Sequence, residues 1–320
     1  MSPSADNFRS NALHYSVFVL SYNQEAFVGD AIRSVLAQEC DPVEIIISDD
    51  CSIDGTFDSI RAAVQGYDGP HNIQVRRNTE NLGLVAHINL IVELASGDVI
   101  IPAYGDDISL PTRVAEIAEV FESHQPWLVH SDAIAIDEAG AETQSKYRKA
   151  DFFRTTDPLE TATSMSLFLG ASGAWHRALF DKYGPISFAN VYDDLTLGFR
   201  AALEDGVAFI EKPLIQYREG VGLSHQLNRE RNPEQAASDR RKKILEATMS
   251  TYRQRLKDAT TFGLDQDHPI VRKLSTALLK ARMRRACHEG IARMMLHNMR
   301  HPGLALSAAA AEGLRILQRR

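Results

Sequence analysis

Short apolar runs alternate with helix-spaced apolar positions through the first hundred residues. Tyr15–Ser21 (YSVFVLS) is β-branched and aromatic and predicts a strand. After a polar turn, Phe27, Ala31, Ile32, Val35 and Leu36 recur at helical spacing. Residues 43–48 (VEIIIS) are too few for a helix and predict a buried strand. Asp54-Gly55-Thr56 opens a second helix, residues 73–75 predict a weaker strand, and residues 84–95 a third helix. Residues 98–101 (DVII) form a fourth strand. This alternation predicts an α/β fold with a mostly parallel central sheet flanked by helices. The polar residues Tyr22/Asn23, Asp49/Asp50 and Asp106/Asp107 fall at the ends of the strands. In open sheets with right-handed crossovers, ligands bind beyond the carboxyl ends of the strands.

The pattern changes past residue 225. Arg240-Arg-Lys-Lys243 precedes the helix-spaced Ile244, Leu245, Met249 and Tyr252, and residues 271–299 and 303–317 are again helical. Charge divides at the same place. Residues 1–225 hold 15 Lys/Arg against 33 Asp/Glu, and residues 226–320 hold 20 against 9. Opposite signs argue for different partners, with a boundary near Gln226. Basic amphipathic helices in 240–320 suit an anionic membrane surface. They suit equally a packed helical subdomain or a contact in a homo-oligomer. Nucleic acid is not expected, because the region has few aromatic residues to stack on bases.

The composition is ordinary for a globular protein: 320 residues, 44% hydrophobic and 24% charged. Three scattered cysteines, Cys40, Cys51 and Cys287, exclude a disulfide scaffold. Neither a secretory signal nor an apolar run of the ~20 residues that span a bilayer is found. The expectation is a cytoplasmic protein. Glycine-rich dinucleotide and phosphate-loop motifs are missing from the first 225 residues. A phosphate would then be held through a divalent cation, and carboxylates suit Mg²⁺ or Mn²⁺. Asp106 and Asp107 are the natural ligands, although Gly-Asp-Asp is also a plain turn sequence.

The order of the motifs carries a resemblance. Tyr22-Asn23, Ser34-Val-Leu-Ala-Gln38 and Glu44-Ile-Ile-Ile-Ser-Asp-Asp-Cys-Ser-Ile-Asp-Gly-Thr56 are followed by Glu80-Asn-Leu-Gly83, Asn89, Ala95-Ser-Gly-Asp98 and Asp106-Asp107. Gly170-Ala-Ser-Gly-Ala-Trp175, Tyr192-Asp-Asp-Leu-Thr-Leu-Gly-Phe-Arg200 and Tyr217-Arg218 complete the series. Residues 15–225 thus resemble family 2 glycosyltransferases, which implies a GT-A fold. Residues of about 15–110 would bind the nucleotide sugar, residues 111–225 would form the acceptor side, and 226–320 a basic helical region.

The resemblance implies further roles. Asp50 would bond the nucleotide base, flanked by Tyr22 and Asn23, with Asn81 and Gly83 closing over it. Asp107 would be the direct metal ligand and Asp106 would bind ribose or metal-bound water. The commoner motif has Asp where Tyr104 stands, which weakens the expected metal affinity. Asp194 would be the base that takes the acceptor's proton, with Asp193 as the alternative. A carboxylate suits the task because burial can raise its pKa, although both residues also suit simple capping of a helix start. His225 would complete the metal site, or lie exposed in a loop. Arg218 would neutralise phosphate or pair with Glu219. Trp175 and His176 would begin the acceptor pocket, unless Trp175 fills the core. The implied reaction is inverting transfer to a glycan or lipid-linked acceptor in cell-surface polysaccharide synthesis, by an enzyme peripheral to the inner face of the membrane. The rivals are a nucleotidyltransferase, which would need a basic glycine-rich loop after the first strand, and an inactive sugar-nucleotide-binding subunit held to the membrane by the tail.

Overall fold

The computed structural model describes residues 12–147, 156–221 and 233–317. The elements run β1 (Tyr15–Ser21), α1 (Val28–Leu36), β2 (Glu44–Asp49), α2 (Thr56–Val64), β3 (Asn72–Arg77), α3 (Leu84–Leu94) and β4 (Val99–Tyr104). There follow β5 (Ile108–Ser109), α4 (Arg113–His124), β6 (Leu128–Ile136), β7 (Glu142–Tyr147), α5 (Pro158–Thr161), β8 (Ala174–His176), α6 (Ala178–Tyr183), α7 (Asp193–Leu203) and β9 (Val207–Arg218). The chain ends in α8 (Pro233–Phe262), α9 (Pro269–Cys287), α10 (Ile291–His297) and α11 (Pro302–Leu317).

The strands form one sheet ordered β3-β2-β1-β4-β8-β6-β9-β5, with β7 on β6. The first four are parallel, as their apolar runs predict. Beyond β4 the sheet is mixed: β8 runs antiparallel to both β4 and β6, and β9 runs parallel to β6. Residues of the central strands alternate between two packed faces, which is why they read as unbroken apolar runs. Val17, Val19, Ile45, Ile47, Val99 and Ile101 face α1 and α4 through Val28, Ile32, Ile117 and Phe121. Phe18, Leu20, Ile46 and Ile100 face α3 and α7 through Ile88, Ile91, Leu195 and Phe199.

That second core does not stop at residue 225. Tyr252 and Ala259 of α8, and Ile270, Leu274 and Leu278 of α9, belong to the same cluster. The helical stretch expected over 271–299 divides at Gly290, whose φ is +146°. Much of the basic charge is spent internally. Arg241 and Arg284 pair with the buried Glu312, and Arg285 pairs with Glu246 and Glu289. Among the described residues, no helix is long and apolar enough to cross a membrane. His225 and the boundary expected at Gln226 lie outside the described residues.

Candidate active site

The parallel half of the sheet delivers its polar tips to one edge. After β1 the chain turns through Asn23 at φ +51°, whose N–H donates to Ser52 Oγ (2.9 Å) and whose Oδ1 accepts from Ile53 N (3.0 Å). The turns after β1 and β2 are thereby linked, with Tyr22 half-buried beside them. Asp49 faces inward, accepting from Ser52 N and pairing with Arg77 Nε, each at 3.1 Å. It braces the turn.

Asp50 accepts from Asn78 Nδ2 (2.6 Å), Leu82 N (2.9 Å) and Gly83 N (2.9 Å). Its carboxylate therefore holds the loop that carries the exposed Asn81 and turns into α3 at Gly83, where φ is +76°. A positive φ suits glycine, which has no Cβ to strain. Beneath Asp50, Ser48 Oγ contacts His87 Nε2 (2.6 Å) and accepts from Arg76 (2.7 Å). Burial lowers His87 to about 4, so the ring is neutral at physiological pH.

The Tyr104-Gly105-Asp106-Asp107 turn closes β4 against β1. A Cβ on Gly105 would lie 2.6 Å from Gln24 Oε1 and 3.1 Å from Ser21 Cβ, which explains the glycine. Gln24 reaches Asp106 by a side-chain hydrogen bond, and Asp107 Oδ1 accepts from Arg218 N at 2.9 Å. Burial raises both carboxyls, and the charge of Asp106 raises Asp107 further. The guanidinium of Arg113 faces Asp107 from α4, fixed by Pro102 O (2.8 Å) and Ala171 O (2.7 Å).

The start of α7 meets this turn. Tyr104 hydroxyl donates to Asp193 Oδ2 (3.1 Å), and Asp194 Oδ1 accepts from Leu195 N (2.7 Å). Burial, then the negative charge of Asp193, pushes Asp194 up to about 7. Burial, then the negative charges of Asp107, Asp106, Glu219 and Asp194, raises Tyr217 of β9 to about 12. The structure thus gathers four carboxylates distant in sequence around two phenols. Hard oxygen donors that repel one another suit a cation. Among the described residues no group of three or more His, Cys, Asp or Glu is arranged to hold a metal. Two carboxylates still fit Mg²⁺ or Mn²⁺, because such ions keep several waters and take the remaining ligands from substrate phosphates.

The fold fixes the surroundings of three residues expected at the site. Trp175 is 1% exposed and packs edge-on to Phe18 in the core, so it does not line an acceptor pocket. His176 pairs with Val99 at the start of β4. The acidic turn lies at the other end of that strand, five residues or roughly 17 Å away, so His176 does not reach it. Arg218 donates to the carbonyls of Asp106 (3.1 Å), Asp137 (2.9 Å) and Glu138 (2.8 Å) and lies over Phe27. Its guanidinium braces the acidic turn.

Sequence reading also missed Arg255. Completely buried on α8, it donates to Leu195 O through Nε (3.0 Å) and Nη2 (2.6 Å), and to Ala162 O (2.9 Å) and Ser164 O (2.8 Å). The first turn of α7, which carries Asp194, is thus held from the C-terminal region. Only the unbroken helical spacing after Arg240 hinted at packing there.

The profile of the family described as Glycosyl transferase family 2 matches residues 16–184. EpsE of Bacillus subtilis, provisionally named a glycosyltransferase, is 32% identical over 126 residues, covering 39% of this chain and 45% of EpsE. YwdF of the same organism, named an uncharacterised glycosyltransferase, is 28% identical over 171 residues, covering 53% of this chain and 60% of YwdF. The chain spans about half the length of these curated relatives. Among solved structures, S. aureus TarS 1–349 in complex with UDP-GlcNAc superposes with a TM-score of 0.58 at 16% identity, covering 95% of this chain and 92% of TarS. The mannosyltransferase PcManGT of Pyrobaculum calidifontis, in complex with GDP-Man and Mn²⁺, gives 0.54 at 16% identity, covering 95% and 88%. At these identities the likeness establishes the fold, which is GT-A.

Proposed function

This chain belongs to glycosyltransferase family 2, and from that membership we propose an inverting enzyme that moves a sugar from a nucleoside-diphosphate sugar to a hydroxyl of a glycan or lipid-linked acceptor, in cell-surface polysaccharide synthesis. The observation that carries the reading is the convergence of Asp106 and Asp107 with Asp193 and Asp194 around Tyr104 and Tyr217. One pair suits the donor's diphosphate through a cation, the other a proton.

In this reading residues 15–110 bind the donor, residues 111–225 receive the acceptor, and the helical remainder supports both. Asp50 takes the base, between Tyr22 and the loop of Asn81 and Gly83, and Asn23 fixes the turn. Asp107, assisted by Asp106, holds the divalent ion. Such an ion, when bound, stabilises the negative charge that develops on the leaving diphosphate. Asp194 accepts the proton of the attacking hydroxyl, and a single in-line displacement inverts the anomeric centre. The nucleotide sugars and the Mn²⁺ of the solved relatives support a metal-dependent donor site.

Calorimetry with UDP, GDP and dTDP tests this. One nucleotide is expected to bind only with Mn²⁺ or Mg²⁺, and Asp107→Ala is expected to abolish that binding. Failure of all three to bind at ~100 μM affinity, about −5.5 kcal/mol, would sink the reading. The tail's role is tested separately. Arg240, Arg272, Arg282, Arg300 and Arg315 remain exposed, and peripheral attachment predicts flotation with anionic vesicles that fades as salt rises. Equal flotation with zwitterionic vesicles, or none with either, would reject it.

A further inference from the structure

Tyr104 belongs to the strand that presents the acidic turn, yet its phenol runs to the helix that carries the candidate base. Its ring packs beside Leu169, Ala171, Ile215 and Tyr217, and a phenylalanine would fill that space as well. The hydroxyl does something a phenylalanine cannot, because it donates to Asp193 Oδ2 at 3.1 Å. Gly170 closes over the meeting point. A Cβ there would lie 3.5 Å from Asp194 Cβ and 4.0 Å from both Asp193 Oδ2 and the Tyr104 hydroxyl oxygen.

The two adjacent aspartates are chemically equivalent in the sequence, and the fold makes them different. Asp193 is 9% exposed and tied to the phenol, whereas Asp194 is half-buried and accepts from backbone N–H groups at the helix start, Leu195 N among them at 2.7 Å. An ionised carboxylate at position 104, as in the commoner motif, could not donate this bond and would repel Asp193. We infer that Tyr104 is a positioning residue of the base helix: its hydroxyl fixes Asp193 and leaves Asp194 as the carboxylate presented to the acceptor. The inference rests on the transferase reading. It makes the substitution in the acidic motif a working part, coupling the donor-side strand to the acceptor-side helix.

Tyr104→Phe keeps the ring and removes the bond. With the donor identified by nucleotide binding, kcat is expected to fall roughly tenfold, as for loss of a hydrogen bond to a charged group. The donor KM and metal-dependent nucleotide affinity are expected to stay at wild-type values. In an Asp193→Ala background the same change should cost nothing further. An unchanged kcat, weakened nucleotide affinity with kcat intact, or an equal loss in both backgrounds would each overturn the role. The two readings fail separately. Absence of wild-type turnover removes the transferase assignment and this inference with it, whereas wild-type turnover with an unimpaired Tyr104→Phe enzyme removes this inference alone.

Discussion

Asp194→Asn is expected to lower turnover about 10²–10⁴-fold, the range over which a positioned general base contributes, while nucleotide binding persists. Asparagine keeps the shape and can still accept from Leu195 N, which Asp194 does at 2.7 Å. It cannot take a proton from a hydroxyl. Burial and the neighbouring charge of Asp193 push Asp194 up to about 7, close to the value that best serves a base at neutral pH. The sign follows directly. Below about 7 the carboxyl is protonated and cannot accept, so kcat/KM of the wild type rises with pH through that region and levels above it. Of the titratable groups facing the carboxyl, Arg255 of α8 is charged and lowers it, while the phenols of Tyr104, Tyr217 and the capping Tyr192 stay neutral near pH 7. An Asp194→Asn enzyme within threefold of wild type, or a flat pH profile across 6–8, would remove Asp194 from the chemistry.

Asp258→Ala is expected to destabilise the whole chain by about 3–5 kcal/mol, because it strands a buried cation. Arg200 of α7 donates to Asp258 of α8 through Nε (3.0 Å) and Nη2 (3.1 Å), with neither side chain exposed. Gln254 adds a bond to the same carboxylate at 2.9 Å. The pair joins the helix of the candidate base to the C-terminal region, one turn from Arg255. Thermal or urea unfolding followed by circular dichroism measures the loss, which corresponds to a fall in Tm of roughly 4–7 °C. A cost under about 1 kcal/mol would show that the two regions are only loosely joined. For the same reason, a chain cut after residue 225 is expected not to fold. It would expose the apolar surface that Tyr252, Ala259, Leu274 and Leu278 cover.

Local pattern determined much of this protein. The unbroken apolar runs of β1, β2 and β4 required burial on both faces, so they required a parallel sheet covered by helices on each side. The polar residues that end those strands then had to share one edge, and Asp50, Asp106 and Asp107 are there. The helix of Asp193 and Asp194 was equally legible, through the motif that ends in Arg200. Tertiary structure decided the rest, because the answer depended on partners far away in the chain. The three-residue strand β8 has no period of its own to read. Only its pairing with β4 and β6 sends Trp175 into the core and His176 to the far end of the sheet. Arg218 and Arg255 look like free charge in the sequence, and the folded backbone supplies the carbonyls that bury them. The resemblance puts Asp194 ahead of Asp193, yet local chemistry does not separate them, since both stand at one helix start. A phenol arriving from a strand 89 positions earlier separates them, and contacts of that range follow from how the elements pack.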